Sequence, residues 1–187
     1  SRLMHSSSYP DHVTQVQDVL EIDDVLERNP IATSSVLIEK SCLENVGGFD
    51  ETLNGGEDWN LWASLVEAGC KFKGIKDPLT VIELDIVSYS SDSSTTTPGR
   101  DALTNKFRDY IESDRNLASN HYMTRGREQY EFRNFYNCKK YLQSSLKFNR
   151  FAPKPYIFLA SLYFRRYTGI DLLEKIVGIK HRLGNAR

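Results

Sequence analysis

Apolar and polar positions divide the chain into a first block of short mixed elements and a second block of long helical stretches. Over residues 16–26 the apolar positions recur at three and four. A short helix is predicted there, ended by Asn29-Pro30 because the residue before a proline is pushed out of the helical region. Ser34-Ser35-Val36-Leu37-Ile38 reads as a short strand. Ser41 and Glu44 match the S-x-x-E capping box, which predicts one or two helical turns stopped by Gly47-Gly48. A turn-rich segment over 49–56 leads into a stronger helix from Glu57 to about Ala68. Its stripe is Leu61, Trp62, Leu65 and Val66, and Gly69 is placed to cap it. Residues 71–75 and 79–84 read as strands around an Asp77-Pro78 turn. Strands alternating with helices define an α/β block.

The polar, Ser/Thr-rich run over 88–99 reads as a linker or mobile loop. Beyond it, helices are predicted over 101–117, 120–133, 135–148, 153–166 and 171–179. Tyr130, Tyr141, Phe148, Tyr156 and Tyr163 fall at helical spacing and read as a helix-packing core. The expected organisation is therefore an α/β unit over 1–87, a linker over 88–100 and a helical region over 101–187.

Charge sharpens that division. Residues 1–138 carry 13 Lys/Arg and 23 Asp/Glu, whereas residues 139–187 carry 11 Lys/Arg and only 2 acidic residues, Asp171 and Glu174. A basic tail with Tyr156, Phe158, Leu159, Leu162 and Phe164 beside Arg165 and Arg166 suggests an anionic membrane surface as a partner. No nucleic-acid partner is expected. Cys42, Cys70 and Cys138 are far apart and form no metal-binding spacing, so they read as reduced thiols in a cytoplasmic protein, peripheral to the inner face of a membrane. No apolar run reaches the length of a membrane span, and the first ten residues lack the apolar core of a signal peptide.

Candidate chemistry is concentrated in Gly47-Gly48-Phe49-Asp50-Glu51 and Gly55-Gly56-Glu57-Asp58-Trp59-Asn60-Leu61-Trp62. Glu57 and Asp58 fall in the first turn of a helix, where unpaired N–H groups and the positive dipole end favour negative side chains. A carboxylate at a cleft edge accepts the proton of a hydroxyl nucleophile. Tryptophan faces stack on sugar rings, and glycines permit close approach of backbone or substrate. A purely structural reading stands beside this one. Acidic residues in a first turn stabilise a helix by about 0.3–1 kcal/mol, and Trp62 suits a core.

Taken in order, Asn29-Pro30, the 34–38 run, Gly47-Gly48-Phe49-Asp50-Glu51, Glu57-Asp58-Trp59-Asn60-Leu61-Trp62 and Asp77-Pro78-Leu79 resemble the C-terminal half of the family 2 glycosyltransferases over residues 25–85. The Gly-Gly-Glu-Asp piece is also similar to the corresponding segment of the β-1,4-galactosyltransferases. The resemblance implies an α/β fold: a partial GT-A (nucleotide-diphospho-sugar transferase) domain followed by an α-helical region. It implies inverting transfer from a nucleotide-sugar to a glycan or lipid-linked hydroxyl, in the building of a polysaccharide. Asp58 would be the catalytic base, with Glu57 and Trp59 in the acceptor site. Family members bind the donor diphosphate, with Mg²⁺ or Mn²⁺, through an N-terminal half ending in a D-x-D motif. Glu21-Ile22-Asp23-Asp24 does not end a buried strand and is not assigned that part, so no cofactor is expected for this chain alone. Many relatives carry a metal-binding histidine after the Pro-Leu strand. Asp85 stands near that position and suits a hard cation, its alternative being a solvated strand-end acid. Residues 130–146, Asn149 and Pro153 resemble the helical hairpins appended to such transferases, reminiscent of tetratricopeptide repeats.

Two competing functions are a non-catalytic helical adaptor and a retaining glycosyltransferase. Since the chain has no Gly-rich phosphate loop of P-loop or dinucleotide spacing, calorimetric titration with uridine or guanosine diphosphate sugars plus Mg²⁺ or Mn²⁺ is expected to be flat. Binding tighter than about millimolar, which corresponds to about −4 kcal/mol of specific contact, would place a donor site within these residues.

Overall fold

The structure is a computed structural model that describes residues 19–75, 79–80 and 93–173. Its described elements are helical: α1 (Ile22–Glu27), a 3₁₀ turn (Thr33–Ser35), α2 (Lys40–Val46), α3 (Glu57–Glu67), α4 (Ser93–Lys106), α5 (Arg108–Ser113), α6 (Arg115–Glu131), α7 (Phe135–Phe148) and α8 (Pro153–Thr168). No strand occurs among the described residues. The α/β, partial GT-A expectation is therefore overturned.

The physical reason is visible at each expected strand. Thr33–Ser35 closes into a 3₁₀ turn, with both the N–H and the hydroxyl of Ser35 donating to the Ala32 carbonyl. Val36 and Ile38 pack on the core while Leu37 is 99% exposed, so the alternation of an extended segment is present without a partner. Residues 71–75 are likewise irregular. β-Branched residues favour extended backbone, but only a paired neighbour makes a sheet. The expected strand over 79–84 lies outside the described residues from 81 onward.

The helix signals fare better. Gly69 ends α3 with φ +80°, while the N–H groups of Gly69 and Cys70 bond back to the carbonyls of Val66 and Leu65, a Schellman closure. Gly47 and Gly48 close α2 in the same way onto Glu44 and Leu43. The predicted capping box does not form. Helix α2 begins at Lys40, the Ser41 hydroxyl donates to Glu39, and Glu44 pairs with Lys40 at 3.1 Å. The Ser/Thr-rich run is helical from Ser93 onward. The helix expected over 101–117 breaks at Phe107 and again at Asp114, whose carboxylate caps α6 by accepting from the N–H groups of Asn116 and Leu117 at 2.8 Å. Helix α7 has its predicted limits, and α8 runs to Thr168. The helix expected over 171–179 lies outside the described residues beyond Leu173.

Helix α6 is the centre. Leu117, Ala118 and Tyr122 on it join a core with α1, α3, α4 and α5, and Tyr130 begins a second cluster with Cys138, Leu142 and Phe158 of α7 and α8. Core residues thus come from both sides of the Ser/Thr-rich run. Of the aromatic stripe, Tyr130 and Tyr141 are buried and Phe148 packs against the core, whereas Tyr156 and Tyr163 are exposed. All three cysteines are free. Cys138 is buried, and Cys42 and Cys70 are half-buried.

Helix α4 sits directly on the Gly55-Gly56 turn. A Cβ on Gly99 would fall 1.7 Å from the Gly55 carbonyl oxygen, and one on Gly55 would fall 2.8 Å from that of Thr95. Gly99→Ala should therefore cost about 1–3 kcal/mol or more as an overpacked backbone contact. Gly48→Ala, in open space but at φ +78°, should cost only about 1 kcal/mol from the left-handed backbone. Urea midpoints of the two variants would check this ordering.

Candidate functional site

The candidate carboxylates stand where the sequence puts them, in the first turn of α3, after Gly55 and Gly56, which both adopt positive φ. Asp58 is half-buried and well held. Its Oδ2 accepts from Asn29 Nδ2 at 3.1 Å and from Thr33 Oγ1 at 3.0 Å, and its Oδ1 accepts from the Trp59 N–H at 2.6 Å. A carboxylate offers about four lone-pair sites, so three donors leave one on Oδ1 for an incoming hydroxyl. Thr33 was not foreseen as a partner of Asp58. Asn29 enters the sequence reading as a helix stop and as the first piece of the resemblance, not as a partner of Asp58, and no local signal ties either residue to a position more than twenty residues away.

Glu57 lies about 100° around the helix from Asp58. It too is half-buried, and its Oε2 is enclosed without a hydrogen-bond partner. Leaving such an atom unpaired costs about 1–3 kcal/mol, more for a charged group. Close by, the Arg100 backbone and side chain lie where a Cβ on Gly56 would come within 3.2 Å. Arg100 Nη1 is 3.1 Å from Glu128 Oε1, yet out of line for a hydrogen bond.

Trp59 requires a correction. Its ring is fully buried and its Nε1 donates to the Val25 carbonyl at 2.5 Å. A ring with no exposed face offers no stacking platform, so the acceptor-pocket role gives way to a structural one. Trp62 is buried in the same core. The glycines likewise permit close approach of α4, as the Gly55–Gly99 contact shows. Asn60 completes that seam, with its Nδ2 donating to the Gly56 and Gly99 carbonyls at 2.9 Å each.

Asp85 lies outside the described residues. Among those described, no group of three or more His, Cys, Asp or Glu side chains converges to hold a metal ion. No described helix is long and apolar enough to cross a membrane.

Behind the site runs a buried polar ladder on α6 that the sequence reading missed. His121, Arg125 and Gln129, spaced by four, have no exposed surface. Arg125 pairs with Asp101 at 2.7 Å and with Glu128, and Tyr141 donates to the same Asp101 carboxylate. His121 Nδ1–H donates to the Leu26 carbonyl, so Nε2 of the neutral ring faces Thr104 Oγ1 at 2.9 Å as acceptor.

Comparison with known proteins adds one partial match. Over 55 residues the chain is 33% identical to the pre-mycofactocin glycosyltransferase of Mycobacterium tuberculosis, in both strain CDC 1551 and strain H37Rv. The match covers 29% of this chain and 11% of the relative. The chain thus spans about a tenth of the length of the curated relatives it matches. No protein-family model matches the chain. No solved structure matches it. Part of the chain is therefore similar to part of a glycosyltransferase, which is the coarse functional statement the comparisons carry.

Burial pulls the His121 pKa from 6.5 down to about 4, with the Arg125 charge acting in the same direction and the Leu26 carbonyl, Glu128 and Asp101 opposing. The unfolded chain binds this proton first as pH falls. The contribution is therefore fully present above about pH 6.5 and lost progressively towards pH 4, up to about 3 kcal/mol. Denaturation midpoints measured across that window should fall with acidity, and His121→Gln should flatten the slope while lowering stability at neutral pH.

Proposed function

We propose that the chain is part of a glycosyltransferase in which Asp58 removes the proton of the acceptor hydroxyl during inverting transfer from a nucleotide-sugar. The observation that carries this reading is the held carboxylate: Asn29 and Thr33 fix Oδ2, and Oδ1 keeps one site for a hydroxyl. The partial similarity to a glycosyltransferase supports the same reaction class. A hydroxyl is a poor nucleophile until its proton is taken, and a positioned base contributes about 10²–10⁴-fold in rate. Glu57, half-buried beside Asp58 in the first turn of α3, is the acceptor-binding residue in this reading. The donor diphosphate and its Mg²⁺ or Mn²⁺ are left to residues other than the described ones.

A second reading, a non-catalytic helical binding module, is favoured by the described elements all being helices. The two readings separate in the complete enzyme assayed with its donor and acceptor. Asp58→Asn should retain fold and donor affinity while lowering turnover at least about 100-fold. Glu57→Gln should act mainly through acceptor KM. Loss of activity in Glu57→Gln with near-normal turnover in Asp58→Asn would move the base by one residue. Full activity in both variants would remove the carboxylate mechanism, and the product's anomeric configuration distinguishes inverting from retaining transfer.

A further inference from the structure

Residues 132–170 contain eight Lys/Arg and no Asp or Glu. They form the α7–α8 hairpin, so the positive charge lies on one pair of packed helices. Some of it is spent internally: Arg165 pairs with Asp171 at 2.9 Å and lies 4.5 Å from the Phe135 ring centroid. Lys139, Lys140, Lys147, Lys154 and Arg166 form no ion pair among the described residues.

Helix α8 has two apolar faces, and among the described residues only one of them packs on the core. Pro155, Phe158 and Ser161 are buried, and Leu159 and Leu162 pack on the second core cluster. That disposes of three of the five residues read from the sequence as a membrane-facing set. The opposite face presents Tyr156, Ile157, Tyr163, Phe164 and Tyr167 to solvent, with Tyr163 67% exposed and its ring centroid 4.6 Å from that of Tyr167. At the turn between the helices Phe151 is 79% exposed, with the Arg150 guanidinium 4.7 Å from its ring centroid. Tyr156 braces this turn by donating to the Arg150 carbonyl at 2.8 Å.

We propose that this outer face of the α7–α8 hairpin docks on an anionic lipid bilayer. Charge complementarity chooses the occupant. A surface that offers tyrosine and phenylalanine rings among unpaired lysines and arginines, with no carboxylate, suits headgroups above acyl chains. Tyrosine rings settle at the headgroup level, and the long basic side chains reach the phosphates while their stems cover apolar surface. A second copy meeting this face with its own α7–α8 hairpin would bring the same positive charge to the contact and be repelled by it. The proposal does not depend on the catalytic reading.

Sedimentation of the full chain with phosphatidylcholine vesicles, with and without phosphatidylglycerol, tests it. Binding is expected only to the phosphatidylglycerol vesicles, with release at high salt. Reversing two charges, Lys154→Glu with Arg166→Glu, should weaken partitioning about 30-fold or more, since each basic residue at such a surface contributes about fivefold. Tyr163→Ser with Phe164→Ser should weaken it about tenfold or more through lost apolar burial. Circular dichroism checks that both variants keep their helices. If the aromatic variant unfolds, the charge variant and the salt dependence still decide. Absence of binding to anionic vesicles at low salt, or binding that neither variant weakens, overturns the proposal. So does a concentration-dependent dimer that the aromatic variant dissolves, which would assign the face to a second copy.

Discussion

The candidate site depends on how a very short helix ends. Helix α1 has six residues, and its last carbonyls find no partner within it. Two of them face the interior, where an unpaired carbonyl is costly. Trp59 on α3 donates to Val25, and His121 on α6 donates to Leu26. Those two bonds fasten α1 between α3 and α6 and fix where the chain leaves it. The departing segment carries Asn29 and Thr33, which close on Asp58. Trp59 therefore matters to the neighbouring carboxylate by holding the segment that holds it, a role for which it must be buried.

Arg125 does similar work one turn further along α6. A buried guanidinium is tolerable only when paired, and removing one partner of such a pair typically costs about 3–5 kcal/mol. Here Asp101 comes from α4 and Glu128 from α6 itself, while the Tyr141 ring of α7 lies 5.2 Å away and its hydroxyl also donates to Asp101. Burial pushes the Tyr141 phenol up to about 12, so it stays a neutral donor. Three helices are thereby registered by charge, while Gly126 lets α6 and α7 approach. A Cβ there would meet Leu142 Cδ2 at 2.7 Å. Polar pairing and small residues, more than an apolar stripe, set the position of α6.

That explains an omission in the sequence reading. Arg115–Glu131 contains His121, Arg125 and Gln129 at the spacing of an inward face, but polar side chains at that spacing read as a solvated stripe. The partners that make their burial possible, Leu26 and Asp101, are remote in sequence. By contrast, the limits of Phe135–Phe148 are those the sequence predicts, and Cys138, Tyr141 and Leu142 are buried along one face of it.

What the sequence determined by itself was local. Gly47 and Gly69 stop their helices because a left-handed residue without a Cβ closes the last carbonyls. Glu57 and Asp58 open α3, and the basic charge gathers in the last two described helices. Each follows from residues within a turn or two of one another. The tertiary structure alone decided whether Val36–Ile38 would pair as a strand, since an extended segment becomes a sheet only when another chain segment lies beside it. It alone decided that Trp59 lies inside, that Gly55 meets Gly99, and that α8 shows Tyr163 outward and Phe158 inward. Those outcomes depend on contacts between positions tens of residues apart, and no local pattern records which neighbour will arrive.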